Sequence, residues 1–120
     1  MDITSLGKGL TFCGRVKAVR QTYYVFDAGD YFFVMSLSKP SAGNFNVVEK
    51  KAVQYVHNRF AGKRGVTSNA VVDRARRTTH APSSLAALNI LYVLVATRAA
   101  RIEKQGQHQQ LFFRVMKGSA

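Results

Sequence analysis

The chain has 120 residues, which is enough for one domain with its own hydrophobic core but not for two. Its hydrophobic content of 47% excludes a wholly disordered protein. Eighteen Lys and Arg stand against six Asp and Glu, so the net charge is +12 although only 20% of the residues are charged. The basicity therefore comes from missing acids, and a surface with this imbalance is expected to meet a polyanion.

Cysteine, metal and targeting signals are sparse. Cys13 has no partner for an internal disulfide, which favours a reducing compartment. The three histidines stand far apart and no zinc-ligand spacing is present, so we expect neither a metal nor another cofactor. The most apolar stretch, residues 85–96, is too short to cross a bilayer, and residues 1–10 do not look like a signal peptide. These signals predict a cytoplasmic or nucleoid-associated protein that does not contact a membrane.

The N-terminal part, residues 1–45, predicts an antiparallel β-meander. Three stretches show the alternating or aromatic and β-branched composition of strands: residues 11–19, 23–26 and 31–37. Residues 27–30 contain Gly29 between two aspartates, which is typical of a hairpin turn. Residues 38–44 are rich in Pro, Gly, Ser and Asn and predict a loop after the third strand.

A first helix is predicted after this loop. Asn46 followed by Glu49 three residues later is typical of a helix N-terminus, and Gly62 is typical of a helix C-cap. Between them apolar residues recur at helical spacing: Val48, Ala52, Val53, Val56 and Phe60.

Two more helices follow. Thr67 or Ser68 can cap a short second helix, and Ser83 or Ser84 can cap the third. One face of the third helix carries Leu85, Leu88, Leu91, Tyr92 and Val95. Its opposite face is almost as apolar, and a helix of this kind is usually buried all round. We therefore expect the N-terminal meander or a second subunit to cover it.

The chain ends in a predicted β-hairpin. Residues 100–104 form one strand, Gln105 and Gly106 a turn, and residues 110–115 the second strand, where Leu111, Phe113 and Val115 alternate with other residues. Together these elements predict one α+β domain over residues 1–120, with the helices and hairpin occupying residues 46–116.

The order helix, short helix, helix and β-hairpin over residues 46–116 resembles the winged-helix variant of the helix-turn-helix. Two stretches carry the resemblance. Residues 65–72 are similar to the capped start of the second helix of that family, and residues 91–106 with 111–115 are similar to a recognition helix that runs into a basic wing.

The resemblance implies a DNA-binding domain whose third helix enters the major groove and whose wing lies along the backbone. It would place four residues toward the bases: Ser83, Ser84, Ala87 and Asn89. Asn89 is the residue able to make a bidentate contact, for which Asn favours adenine. It would place three residues near phosphates: Lys104, Gln107 and His108.

A basic cluster supports the same hypothesis from the residues themselves. Between positions 59 and 77 only one acid, Asp73, accompanies Arg59, Lys63, Arg64, Arg74, Arg76 and Arg77. Lys and Arg bind phosphates with little dependence on sequence. We therefore predict double-stranded DNA binding by a regulator or DNA-organising factor, acting as a homodimer, with further backbone contacts from Arg101 and Lys104 and base contacts from Ser84 and Asn89.

Two other kinds of binding protein stay open. In the first, the apolar third helix and the hairpins bind a protein partner, with Ile90 and Tyr92 as sensitive positions. In the second, aromatic residues form a stacking platform for single-stranded RNA: Tyr23, Tyr24, Phe26, Tyr31, Phe32 and Phe33. Adjacent strand residues point to opposite faces, so one of each adjacent pair is expected in the core.

Catalysis is the weakest alternative. Asp27 or Asp30 with Glu49 and Lys51 loosely resembles the acid and Glu-x-Lys set of metal-dependent nucleases. Turn formation and helix capping already account for these acids, so no catalytic residue is predicted.

Overall fold

The computed structural model describes residues 9–19, 21–39, 42–106 and 110–118. Four strands come first: β1 (Thr11–Lys17), β2 (Thr22–Asp27), β3 (Tyr31–Lys39) and β4 (Ala42–Glu49). Three helices follow: α1 (Lys50–Phe60), α2 (Ser68–Arg74) and α3 (Ser84–Ala96). The last elements are β5 (Ala100–Gln105) and β6 (Leu111–Val115). The mixed α+β class, the antiparallel sheet and the three helices are as predicted.

The N-terminal sheet has four strands in the order β1-β2-β3-β4, not three. The predicted loop at 38–44 is wrong for residues 38–39, which end β3, and for residues 42–44, which begin β4, while residues 40 and 41 lie outside the described residues. The predicted helix start at Asn46 is also wrong, because β4 continues to Glu49 and pairs with β3 along its length. Asn46 lies opposite Val34 within the sheet. The residue that precedes α1 is Glu49, whose side chain makes no capping hydrogen bond. Strand pairing satisfies the backbone groups of this segment, which a local capping pattern does not reveal.

The other predicted caps and the turn at 27–30 agree with the structure, whereas Gln105, predicted in the turn of the C-terminal hairpin, is the last residue of β5. Thr67 accepts a hydrogen bond from the Ala70 amide at 3.2 Å, and Ser83 accepts one from the Ala86 amide. Gly62 follows the end of α1 with φ +81°, a left-handed conformation that favours glycine. In the turn between β2 and β3, the Gly29 amide donates to Asp27 Oδ1 at 3.1 Å.

Helix α3 lies at the centre of the core. It packs against all four strands of the sheet and against α1 and α2. Its buried residues include Ala87, Ile90, Leu91, Val93 and Leu94, which come from all sides of the helix. The expectation that the meander covers this helix is therefore confirmed.

One close approach explains how sheet and helix fit. Gly14 in β1 lies against the end of α3, where a Cβ atom on Gly14 would lie 2.9 Å from the Ala96 carbonyl oxygen. Only a residue without a side chain allows this contact. Nearby, the rings of Tyr23 in β2 and Tyr92 in α3 stack with their centroids 4.3 Å apart.

The C-terminal hairpin forms as predicted, with β5 and β6 antiparallel. Phe113 and Val115 point into the core and Leu111 is half-buried, as the alternation indicated. The hairpin is also tied to the segment between α1 and α2. Val66 and Phe113 exchange two backbone hydrogen bonds, at 2.9 and 2.8 Å.

Candidate nucleic-acid interface

Arginine side chains come together on the surface between α1 and the end of α2. They line a shallow groove of about 550 Å³, here called the arginine groove. Its residues are Tyr55, Arg59, Asp73, Arg74, Arg76, Arg77 and Thr78. All four arginines are exposed, and Asp73 supplies the one carboxylate among them.

Packing under the groove determines where these side chains lie. Val71 and Ala75 are each 1% exposed and anchor α2 and its end in the core. The Tyr55 hydroxyl donates to the Arg74 carbonyl oxygen at 3.3 Å and so joins α1 to the last turn of α2. The Thr78 hydroxyl donates to the Ala75 carbonyl oxygen at 2.8 Å, which closes the turn that presents Arg76 and Arg77.

Charge in the arginine groove is poorly compensated. Asp73 forms an ion pair with Arg76, three residues further along the chain. Arg59 lies over the Tyr55 ring, with its guanidinium carbon 5.0 Å from the ring centroid. Within the described ranges Arg59, Arg74 and Arg77 enter no salt bridge. Guanidinium groups of this kind match phosphate geometry with paired hydrogen bonds.

A second basic surface lies at the hairpin. Arg64, Gly65, Glu103, Lys104 and Phe112 line a groove of about 360 Å³, here called the hairpin groove. Arg64 donates to both carboxylate oxygens of Glu103, with Nη2 to Oε2 at 2.7 Å. This bond lowers the pKa of Glu103 and raises the pKa of Arg64. Lys104 lies over the Phe112 ring at 5.1 Å.

Like charges also face each other across the hairpin. Arg101 in β5 lies directly opposite Arg114 in β6. Cross-strand pairs of like charge are unfavourable unless a counter-ion relieves them. Glu103 provides part of that relief, since both arginines help to lower its pKa.

The predicted backbone-contacting residues therefore divide between two surfaces. Arg74, Arg76 and Arg77 share the arginine groove, whereas Arg64 and Lys104 line the hairpin groove. Lys63 lines neither, and its ammonium group lies 5.6 Å from the centroid of the Phe60 ring. Gln107 and His108 lie outside the described residues.

The predicted base-contacting residues differ in how accessible their side chains are. Asn89 is only 3% exposed, within the buried helix α3, so its side chain has no surface from which to reach a base. Ser84 is exposed at the start of α3, and its hydroxyl donates to Asn69 Oδ1 at 3.0 Å. Ser83 caps α3, and Ala87 is fully buried. Ser84 is thus the member of this set that the fold leaves at the surface with its side chain uncommitted to a cap.

The two positions of the third helix that the sequence predicts as sensitive to a protein partner are buried. Ile90 and Tyr92 are 1% and 3% exposed, within a helix that packs against the sheet and against α1 and α2. These two positions therefore offer no surface to a protein partner, and substitutions there would act on the core.

The acids considered for catalysis lie close together but do not form a metal centre. Asp30, Glu49 and Lys51 line one shallow groove with Tyr31 and Lys50. Asp27 is bound to the Lys50 ammonium at 2.8 Å. In the described ranges no three His, Cys, Asp or Glu side chains are grouped as metal ligands would be.

Four residues of the arginine groove are not among the contacting residues that the sequence predicts, and two of these four come from α1. Tyr55 lies outside the basic cluster, and Arg59 belongs to the cluster without being predicted as a contact. The sequence feature that could have predicted this pair is its spacing of four residues. Positions i and i+4 of a helix are neighbours, and an arginine there can lie over an aromatic ring.

Comparison with known proteins yields no assignment. No protein-family model, no curated protein and no solved structure matches this chain. Among the helices of the described ranges, none has the length and apolar character needed to cross a membrane.

Proposed function

We propose that this chain binds double-stranded DNA, chiefly through phosphate contacts made in the arginine groove. The observation that carries the proposal is the presence of four exposed arginines around a single carboxylate on one face of the fold. A net charge of +12 adds long-range attraction to the same kind of partner.

The energetic basis is counter-ion release. Each arginine that neutralises a phosphate releases condensed cations from the duplex, which favours binding at low salt. Arg59 and Arg74 project from helices, and Arg76 and Arg77 from the turn after α2, so the charges are held by packed elements. Tyr55 supports this arrangement through its bond to the Arg74 carbonyl.

The hairpin is proposed as a second backbone contact, as in a winged-helix arrangement. The order α1, α2, α3 and hairpin supports this, as do the backbone bonds between Val66 and Phe113 that tie the hairpin to the α1–α2 segment. The facing pair Arg101 and Arg114 would gain a phosphate as counter-ion. Arg64 and Lys104 lie in the adjoining groove.

Sequence preference is expected to be weak. Base reading needs polar side chains that reach base edges, and α3 is buried on nearly every side. Ser84 and Leu85 are exposed at its N-terminus, but Leu85 is apolar and offers no hydrogen bond. Of the two roles expected, a DNA-organising factor therefore fits better than a regulator that reads a defined site through α3.

The proposal is tested by fluorescence anisotropy with a labelled random-sequence duplex. The variant Arg74→Gln, Arg76→Gln, Arg77→Gln is expected to bind at least tenfold more weakly, roughly the effect of removing several arginine–phosphate interactions. A matched control lowers the charge by the same amount elsewhere: Lys51→Gln, Arg98→Asn and Lys117→Gln, all at exposed positions. Asn is chosen at position 98 because Arg98 has φ +65°.

The comparison between the two triple variants decides the outcome. If both lose affinity equally, net charge alone drives binding and the arginine groove is not the site. If the wild type does not bind the duplex at low salt, the proposed function is wrong.

A further inference from the structure

The outer face of the four-stranded sheet carries rings that the fold leaves uncovered. Val16, Val25, Val34 and Val48 are buried on the inner face against α3, so their neighbours along each strand point away from the core. Tyr24, Phe26 and Phe33 lie on this outer face, whereas Tyr23 and Phe32 point inward. The expectation that one residue of each adjacent aromatic pair is in the core is thus confirmed.

Strand register arranges the outer residues in two rows across the sheet. The first row runs Phe12, Phe26, Phe33 and Val47 from β1 to β4. The second row runs Arg15, Tyr24, Met35 and Phe45 in the same direction. The rings within and between rows touch, with centroid distances of 5.4 Å for Phe12 and Phe26 and 4.9 Å for Phe33 and Phe45.

Four large apolar or aromatic residues of the outer sheet face are exposed, while the other rings of the two rows are half-buried. Phe12, Phe45 and Val47 are each 54% exposed and Tyr31 is 44% exposed. A contiguous apolar patch on a protein surface marks an interaction site, because leaving large rings in water forfeits their burial energy. Helix α3 packs against the opposite face of the sheet, and among the described residues this outer face keeps these four side chains exposed.

The charges beside the rings indicate the occupant. Arg15 and Lys17 lie on the outer face of β1 and are exposed, and within the described ranges they enter no salt bridge. A second copy of the chain would bring another +12 charges toward this basic edge. A partner with flat rings and a negative backbone complements both features.

From this we infer that the outer sheet face binds single-stranded nucleic acid. Bases would stack on Phe12, Phe26, Phe33 and Phe45, while Arg15 and Lys17 contact phosphates at the β1 edge. Base–aromatic stacking is tolerant of sequence and needs an accessible base face, which a duplex does not offer. The surface is separate from the arginine groove, so the inference does not depend on duplex binding.

Direct binding of single strands gives the first test. Labelled oligothymidylate and oligouridylate of about 20 nucleotides, longer than the 4–16 nucleotides that compact single-strand sites typically cover, are titrated with the full chain by fluorescence anisotropy. The double variant Phe12→Leu, Phe45→Leu keeps the apolar surface but removes two exposed rings. We expect roughly fivefold weaker single-strand binding or more for each ring removed, with duplex affinity unchanged. The two oligonucleotides distinguish DNA from RNA as the source of the strand.

Two controls separate this result from other effects. Leu85→Ala removes an exposed apolar side chain that belongs to α3 and not to the two rows on the outer sheet face, and it is expected to leave single-strand affinity unchanged. The Arg74, Arg76 and Arg77 triple variant is expected to lose duplex binding while keeping the sensitivity of single-strand binding to the two rings. A loss of duplex binding can therefore be distinguished from a loss of single-strand binding on the sheet.

Photo-cross-linking identifies the contact itself. An oligonucleotide containing 5-iodouracil is irradiated in complex with the wild type and the cross-linked peptides are identified by mass spectrometry. Cross-links to Phe12, Tyr24, Phe33 or Phe45 are expected. Cross-links confined to the arginine groove, or ring variants with unchanged single-strand affinity, would overturn the inference. So would light scattering that shows a dimer dissociated by the ring substitutions, because a second copy would then cover this face.

Discussion

Tyr23 and Tyr92 stack face to face, with 4.3 Å between their ring centroids, and thereby join the sheet to helix α3. The contact makes α3 a core element and not a helix that can enter a DNA groove. Tyr92 is 3% exposed, and its neighbours in the helix from Asn89 to Leu94 are buried as well. Any nucleic acid that this chain binds must therefore meet other surfaces.

The stacked pair predicts a dependence of stability on alkaline pH. Burial, with a smaller contribution from Tyr23, raises the pKa of Tyr92 well above its usual range. Because the unfolded phenol ionises near pH 10, the stabilisation from this residue is complete below that pH and is lost as the pH rises beyond it. The difference in unfolding free energy between wild type and Tyr92→Phe should be constant below about pH 10 and shift against the wild type above it.

Urea denaturation at several pH values measures this difference. The variant Tyr55→Phe serves as the control, since it removes a half-buried phenol that takes no part in the stack of Tyr23 and Tyr92. The pH values compared are 8 and 11, because pH 11 lies about one unit above the ordinary pKa of a tyrosine phenol. If the difference in unfolding free energy between wild type and Tyr92→Phe is the same at both, the phenol of Tyr92 is not buried.

The contact between Gly14 and Ala96 predicts a cost for any side chain at position 14. In Gly14→Ala the new Cβ would lie 2.9 Å from the Ala96 carbonyl oxygen, so strand β1 or the end of α3 must move. We expect a loss of about 1–3 kcal/mol in unfolding free energy, the usual range for overpacking. Gly9→Ala is the control, because a Cβ at Gly9 meets no atom within 4 Å. Equal stability of the two variants would show that the sheet does not approach the helix this closely.

Two neighbouring serines at the start of α3 are expected to contribute differently to stability. The sequence allows either Ser83 or Ser84 as the cap, and in the structure the cap is Ser83, which accepts from the Ala86 amide at 3.1 Å. Ser83→Ala should lower the unfolding free energy by about 1 kcal/mol. Ser84→Ala should cost less, since among the described residues the Ser84 hydroxyl bonds to the exposed side chain of Asn69 and not to a backbone amide of the helix start. Thermal or urea unfolding of both variants decides the matter, and a larger loss at Ser84 would reverse the assignment.

How far the sequence predicts this fold depends on whether an element is specified locally. The hairpin turn at Gly29, the caps at Thr67 and Ser83 and the buried state of α3 follow from short patterns, and all are found. Strand β4 does not follow from such a pattern, because residues 42–44 are small and polar and Asn46 with Glu49 imitates a helix start. Its pairing with β3 is a tertiary interaction that local patterns do not contain.

The candidate site shows the same division. The run Arg74, Arg76 and Arg77 is evident from the sequence, and these side chains do share a groove. Tyr55 and Arg59 join them only because α1 packs beside the end of α2, a relation set by the core. Asn89 stands out in the sequence as the polar residue of an apolar helix, yet polarity alone does not reveal that the sheet buries it.

Asp73 provides a gain-of-function prediction for the arginine groove. Its carboxylate pairs with Arg76, so Asp73→Asn should release that guanidinium and remove a negative charge from the phosphate path. Duplex affinity at low salt should rise severalfold, in keeping with the value of one charge contact at a surface. Asp30→Asn makes the same change in charge at the exposed β2–β3 turn and should have a smaller effect. Equal gains in anisotropy titrations of the two variants would indicate a charge effect without a defined site.

If the arginines of one groove contact DNA phosphates, they set the salt dependence of duplex binding. The logarithm of the affinity is measured against the logarithm of salt concentration for the wild type and for the Arg74, Arg76 and Arg77 triple Gln variant. We expect the slope of this plot to be shallower in the variant by about one for each arginine that no longer neutralises a phosphate, or about three in all. Parallel slopes for the two proteins would contradict it, because these arginines would then release no counter-ions on binding.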